Sequence, residues 1–217
     1  MNRGLFITVD GPGGTGKSTT IQHTAPLLTA AGHTVHTTTQ PSPNPFGATI
    51  RHMANEMQGR SLALAVAADR FHQLDTEIQP HLEVGHTVLL DRYLPSTLVL
   101  QRLDGLSIDY LLTINAQLAV PDLAVILLAD PDVILARLEK RGTRHRFELD
   151  PKSTLRELEL YREAVPVLSQ LGYPTATIDT TRLTPEGVAH AIAHAASAPG
   201  ASVNSTVPPA KLENPKP

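Results

Sequence analysis

The chain contains no cysteine, which excludes disulfides and thiolate metal sites and fits a cytoplasmic setting. Net charge is also scarce. At -3 over 217 residues there is no strong basic field to draw a nucleic-acid polymer. No apolar stretch reaches the ~20 residues that a membrane span needs. The first residues run straight into an apolar segment without a charged leader, so no secretory signal is expected. No internal repeat is visible. The ten histidines are scattered: His33 and His36 flank a predicted strand, and His190 and His194 lack an accompanying carboxylate. No protein-built metal site is expected from them.

Hydrophobic residues at 41% and charged residues at 18% suit a globular chain large enough for one α/β domain. Short apolar runs alternate with helical patterns, which predicts βα units and a parallel sheet. Strands are expected near residues 4–9, 33–38, 86–91, 122–129 and 174–179. Helices are expected over about 17–31, 47–57, 62–82, 108–119, 131–141, 153–171 and 185–195, the first kinked at Pro26. Residues 1–198 are read as one domain with a short lid at about 141–150. The proline-containing stretch 199–217 is read as a disordered tail.

The strongest signal is Gly11-Pro12-Gly13-Gly14-Thr15-Gly16-Lys17-Ser18, directly after Leu5-Phe6-Ile7-Thr8-Val9. A strand that ends in glycines lets the backbone curl round an anion, and the helix that follows points its first amides at it. Lys17 is placed to reach the outer phosphates of a nucleotide, and the Ser18 hydroxyl to ligate Mg²⁺. Thr19 extends this donor-binding set, and Asp10, which opens the loop, joins the acceptor-site candidates. Asp91-Arg92-Tyr93 ends the third predicted strand, at the edge where parallel sheets gather ligands. Asp91 is a candidate for Mg²⁺, directly or through water, and Arg92 for a phosphate grip; an ordinary strand-end ion pair is the alternative. A third cluster, Arg137, Lys140, Arg141, Arg144 and Arg146, runs from a helix into a Gly-containing loop. It is either a solvated face or a closing lid that neutralises a moving phosphoryl group. Within Ala67-Ala68-Asp69-Arg70, Arg70 taken alone reads as a buried arginine paired with a carboxylate.

In order, these segments resemble the thymidylate kinase family of P-loop nucleoside monophosphate kinases. The resemblance runs from about Phe6 to Ile178. It includes Gln40-Pro41 through Arg51, Ala67 to Arg70, Asp91-Arg92-Tyr93 with Ser96, Thr97 and Gln101, Pro121-Asp122-Leu123, and Arg144 to Glu148 as the lid. The resemblance implies a three-layer P-loop NTPase sandwich with a five-stranded parallel sheet, ATP and Mg²⁺, a nucleoside monophosphate acceptor with dTMP the default, and a homodimer. It implies Arg92 on the acceptor phosphate, Arg70 and Thr97 at the pyrimidine with Gln101 nearby, and a transition-state cation from Arg141, Arg144 or Arg146. Several positions depart from the family pattern. Gly13 replaces the loop's acid, Val66 the ring that stacks on thymine, Leu100 the ring under the sugar, Thr39-Gln40 an Arg-Glu pair, and His145 the lid aspartate. Because all but the lid change fall in the acceptor site, a modified pyrimidine nucleotide, a ribonucleotide or an intermediate of specialised metabolism is the alternative acceptor. An ATP-binding switch without kinase activity and a kinase of another small molecule are the remaining alternatives.

Overall fold

The computed structural model describes residues 3–142 and 151–197. Five strands, β1 (Phe6–Asp10), β2 (Val35–Thr39), β3 (Thr87–Asp91), β4 (Leu123–Leu128) and β5 (Thr175–Asp179), form a parallel sheet in the order β2-β3-β1-β4-β5. Period-2 alternation sends their side chains to two separate cores. Phe6, Val88, Leu90, Ala124 and Ile126 pack on one face; Ile7, Val9, Leu89, Val125 and Leu127 pack on the other. β1, β3 and β4, buried on both sides, read as nearly continuous apolar runs, whereas β2 (VHTTT) and β5 (TATID) are only partly buried.

The first core is closed by α5 (Leu94–Leu103), α6 (Ile108–Ile114), α7 (Pro131–Arg141) and α8 (Pro151–Gln170), through residues such as Leu98, Leu111, Ile134 and Leu158. The second is closed by α1 (Lys17–Ala30) and α9 (Pro185–Ser197), through Leu28, Val188 and Ile192. The result is the three-layer arrangement of a P-loop α/β fold. α2 (Pro45–Met53) and α3 (Gly59–Gln73) lie beyond the end of β2, and α2 is capped by the Asn44 side chain, which accepts from Gly47 N at 2.9 Å.

α1 runs from Lys17 to Ala30 with Pro26 inside it. Three helix expectations need correction. The single helix expected over 62–82 is instead α3, a π-helical turn at Leu74–Ile78, and α4 (Gln79–Glu83). Pro80 explains the interruption, because its ring would press on the carbonyl four residues earlier and a widened turn relieves it. α6 stops at Ile114 rather than 119. The Asn115 side chain turns back to Leu111 O at 2.8 Å, and Gln117 adopts φ 66. Finally, α5 was not expected at all. Its first turn is held from outside, by the Asp10 carboxylate at the end of β1, which accepts from Tyr93 N (3.0 Å), Ser96 N (2.9 Å) and Ser96 Oγ (2.6 Å).

Candidate active site

Beyond β1 the chain passes β3 to reach β2, and beyond β3 it passes β1 to reach β4, so the connections of two neighbouring strands run in opposite directions. Such a switch point leaves a crevice at the carboxyl ends of the strands. A cavity of about 660 Å³ opens there, with Lys17 and Ser18 from the β1 loop and Asp91 and Arg92 from the end of β3 in its wall.

The loop after β1 has the geometry its glycines suggest. Gly11 has φ +144, and a Cβ there would lie 2.2 Å from Leu127 O of β4, so this position admits glycine alone. Gly16 has φ +91 and precedes the first residue of α1, turning the chain so that the helix opens on the cavity. Thr15 Oγ1 and Lys17 Nζ both donate to Pro12 O, at 2.9 and 2.8 Å, folding the loop on itself. Gly14, Gly16, Lys17, Ser18 and Thr19 line the cavity, whereas Gly11, Pro12 and Gly13 are buried behind them. Burial pushes the Lys17 ammonium down to about 7, with the neighbouring Arg92 charge adding to the effect and Asp91 opposing it. An ammonium so placed is completed electrostatically by an anion.

Across the cavity, Ser18 Oγ donates to Asp91 Oδ2 at 2.6 Å, while Asp91 Oδ1 is buried with no hydrogen-bond partner. A hydroxyl beside a carboxylate with an unused lone pair is a hard-oxygen donor set that fits Mg²⁺ or its water. Arg92 stands at φ 72, the left-handed region that costs a non-glycine residue about 1–2 kcal/mol. Its backbone N donates to Val9 O at 3.0 Å, and Nη1 donates to Ser96 Oγ at 3.2 Å. The strained turn brings the guanidinium to the cavity wall beside Asp91.

At the other end the wall contains Gln40, Arg51, Ala54, Leu62, Leu100 and Gln101. The β2–α2 segment carrying Gln40 is fastened from below. Asp69 accepts from Ser42 N (2.6 Å) and Ser42 Oγ (2.5 Å), and Arg51 Nη1 donates to Pro41 O and, at 2.7 Å, to Ser42 O. Arg70 is 2% exposed and spends its donors inside the protein: Nε on Gln40 Oε1 (2.8 Å), Nη1 on Asn115 Oδ1 (2.5 Å), and Nη2 on Thr97 Oγ1 (2.7 Å) and Tyr93 O (3.4 Å). Its guanidinium also lies over the Tyr93 ring, 5.5 Å from the centroid. A second cavity of about 240 Å³ lies on the far side of the loop, between Thr19, Arg137, Thr180 and Pro185. Arg137 lines both cavities and is fixed by bonds to Thr180 O (2.9 Å) and Thr180 Oγ1 (3.2 Å).

The sequence model of the family described as thymidylate kinase matches residues 9–181. A probable thymidylate kinase of Pyrobaculum aerophilum is 35% identical over 194 residues, covering 87% of this chain and 94% of its own. The thymidylate kinase of Deinococcus radiodurans is 38% identical over 156 residues, covering 68% of this chain and 76% of its own. The chain belongs to the thymidylate kinase family. Its enzyme class is that of a nucleoside monophosphate kinase, a phosphotransferase.

Against the expectations that the thymidylate kinase resemblance raised, the structure gathers Lys17, Ser18, Asp91, Arg92, Leu100, Gln101 and Arg141 around one cavity. It places others elsewhere. Asp10 is fully buried under α5, where burial raises its carboxyl pKa while bonds from Ser96 and Tyr93 lower it, and it does not line the cavity. Arg70 and Thr97 form a second layer behind Gln40. Arg70 bonds neutral acceptors rather than the carboxylate partner expected of it. Val66 is half-buried on α3, and Leu62, one turn earlier, supplies the apolar wall. Arg144 and Arg146 lie outside the described residues, as does the stretch 199–217. Gln40, expected in the acceptor site as part of the Thr39-Gln40 departure, and Arg137, from the basic cluster, also line the cavity. Arg51 is a cavity residue to which sequence reasoning gave no role, although it falls within the segment that resembles the family. No helix among the described residues is long and apolar enough to cross a membrane.

Proposed function

We propose that the protein transfers the γ-phosphoryl group of ATP to dTMP. An oxygen of the acceptor's phosphate attacks the γ-phosphorus and the bond to the bridging β-oxygen breaks, yielding ADP and dTDP. The observation that carries this reading is the convergence of Lys17 and Ser18, from the loop after β1, with Asp91 and Arg92, from the end of β3, on one cavity. Lys17 and the first amides of α1 hold the donor's phosphates. Ser18 and Asp91 would hold Mg²⁺, which would supply neutralisation of phosphate charge. Arg92 grips the acceptor phosphate, and its strained backbone is consistent with a position maintained for that purpose. Arg141, at the cavity rim, neutralises the travelling group together with Arg144 and Arg146. The smaller cavity beside Arg137 takes the donor's nucleoside. Family membership supports a homodimer and a cytoplasmic location as parts of the same reading.

Purified protein given ATP, Mg²⁺ and a panel of dTMP, dUMP, UMP and dCMP tests the proposal. One dTDP is expected per ADP, and Lys17→Ala is expected to lower the rate about 100–1,000-fold. ADP formation without a phosphorylated acceptor would reject it, as would a preference for UMP over dTMP.

A further inference from the structure

Beside Ser96 lies a buried hydroxyl that takes no part in holding the phosphates. Tyr161, on α8, is fully buried, and burial pushes its phenol pKa up, so it stays protonated. Its OH lies 3.0 Å from Ser96 Oγ in the first turn of α5. The same Ser96 oxygen donates to Asp10 Oδ1 at 2.6 Å and accepts from Arg92 Nη1 at 3.2 Å. A serine hydroxyl has one proton and two lone pairs. Its proton goes to Asp10, and one lone pair belongs to Arg92, because a guanidinium only donates. Only the second lone pair is left for Tyr161, which must therefore be the donor in that contact. Ser96 Oγ is thereby saturated. Among the described residues, its bond to Arg92 is also the one hydrogen bond that the Arg92 side chain makes within the protein, which leaves the other guanidinium N–H groups available at the cavity wall.

We propose that Tyr161 is a positioning residue for Arg92, acting through Ser96. By filling one lone pair of Ser96 Oγ from α8, it fixes the direction from which Arg92 Nη1 approaches the other, and so aims the remaining guanidinium donors at the acceptor phosphate. An arginine side chain gives up much rotamer freedom when it is ordered. The left-handed turn at φ 72 places the base of this side chain, and Ser96 fixes its tip before any ligand arrives. Ser96 is itself braced from two elements, β1 through Asp10 and α8 through Tyr161. The inference rests on the proposed reading of Arg92 as the group that grips the acceptor phosphate.

Binding of dTMP and of thymidine, which lacks the phosphate, isolates what the phosphate contributes. Calorimetry gives the ratio of the two affinities in the parent protein, Tyr161→Phe, Ser96→Ala and Arg92→Ala, with ATP affinity and melting temperature as controls. Tyr161→Phe keeps the ring and removes only the donor. The ratio is expected to fall about threefold in Tyr161→Phe and about tenfold in Ser96→Ala, with thymidine and ATP affinities unchanged. In an Arg92→Ala background neither change is expected to lower the ratio further, because the effect passes through Arg92. A merely structural role for Tyr161 would lower the melting temperature and leave the ratio alone. An unchanged ratio in Tyr161→Phe overturns the inference, as does an equal fall with and without Arg92; should Ser96→Ala fail to fold, Tyr161→Phe decides alone. If Arg92→Ala lowers the ratio and Tyr161→Phe does not, the inference fails while the proposed function stands. If the parent protein binds neither dTMP nor thymidine, both fall.

Discussion

A single side chain, Lys17, carries most of the electrostatic tension in the site. Burial and the nearby Arg92 hold its ammonium at about 7 in the absence of a ligand, against an ordinary value of 10.5. At pH 8 the free protein therefore holds Lys17 mostly neutral. A bound triphosphate favours the charged form, so binding draws in a proton. The expected uptake is about 0.9 proton per ATP at pH 8 and falls toward zero below pH 6, where Lys17 is already charged. Calorimetry in buffers of different ionisation enthalpy measures it. Lys17→Arg, which stays charged throughout, should remove the buffer dependence; uptake that survives this change would place the titrating group elsewhere. At the same scale lies the limit of what sequence could reveal. Lys17, Ser18 and Asp91 were legible because the loop spacing and the strand end dictate their positions. The hydrogen bond of Arg70 to Gln40 was not, since it joins residues 30 positions apart.

At the scale of elements, the apolar strands declared themselves, while α5 did not. Leu94 to Leu103 has a proline in its first turn, which favours a helix start, but no side-chain cap of its own to complete the signal. The start comes from Asp10, 83 residues before Tyr93, which receives three donors at the mouth of α5. Asp10→Ala leaves those donors buried and unpaired and should destabilise the protein by about 2–4 kcal/mol. Asp10→Asn retains a carbonyl acceptor and should cost less than half as much, because burial already works against the carboxylate's charge. Urea unfolding measures both; equal losses would mean that the charge rather than the acceptor geometry holds the helix. The π-helical turn before Pro80 has a comparable origin in a local clash that a simple 3.6-residue pattern overlooks. The histidines show the same limit. His36 stacks on His81 with centroids 3.7 Å apart, and the His81 and His86 Nδ1 atoms lie 2.8 Å apart, although nothing in their spacing joins β2 to the α4 turn.

At the scale of the whole molecule, the fold's contribution is to divide two polar ends between two loops of one rigid sheet. β1 and β3 are neighbours in register, Val9 beside Asp91, so the phosphate loop and the Asp91-Arg92 turn cannot drift apart without breaking the central ladder. Both cores brace that pair, one through Phe6, Val88 and Leu90 and the other through Ile7, Val9 and Leu89. Preorganisation of this kind fixes positive groups where charge moves, and the chemistry needs little else from the protein. The most direct test is inhibition by thymidine and adenosine joined through their 5′ positions by five phosphates. If one cavity holds donor and acceptor end to end, this compound competes with both ATP and dTMP, and Lys17→Ala and Arg92→Ala each weaken it. Competition with ATP alone, with Arg92→Ala leaving its affinity unchanged, would contradict the shared cavity.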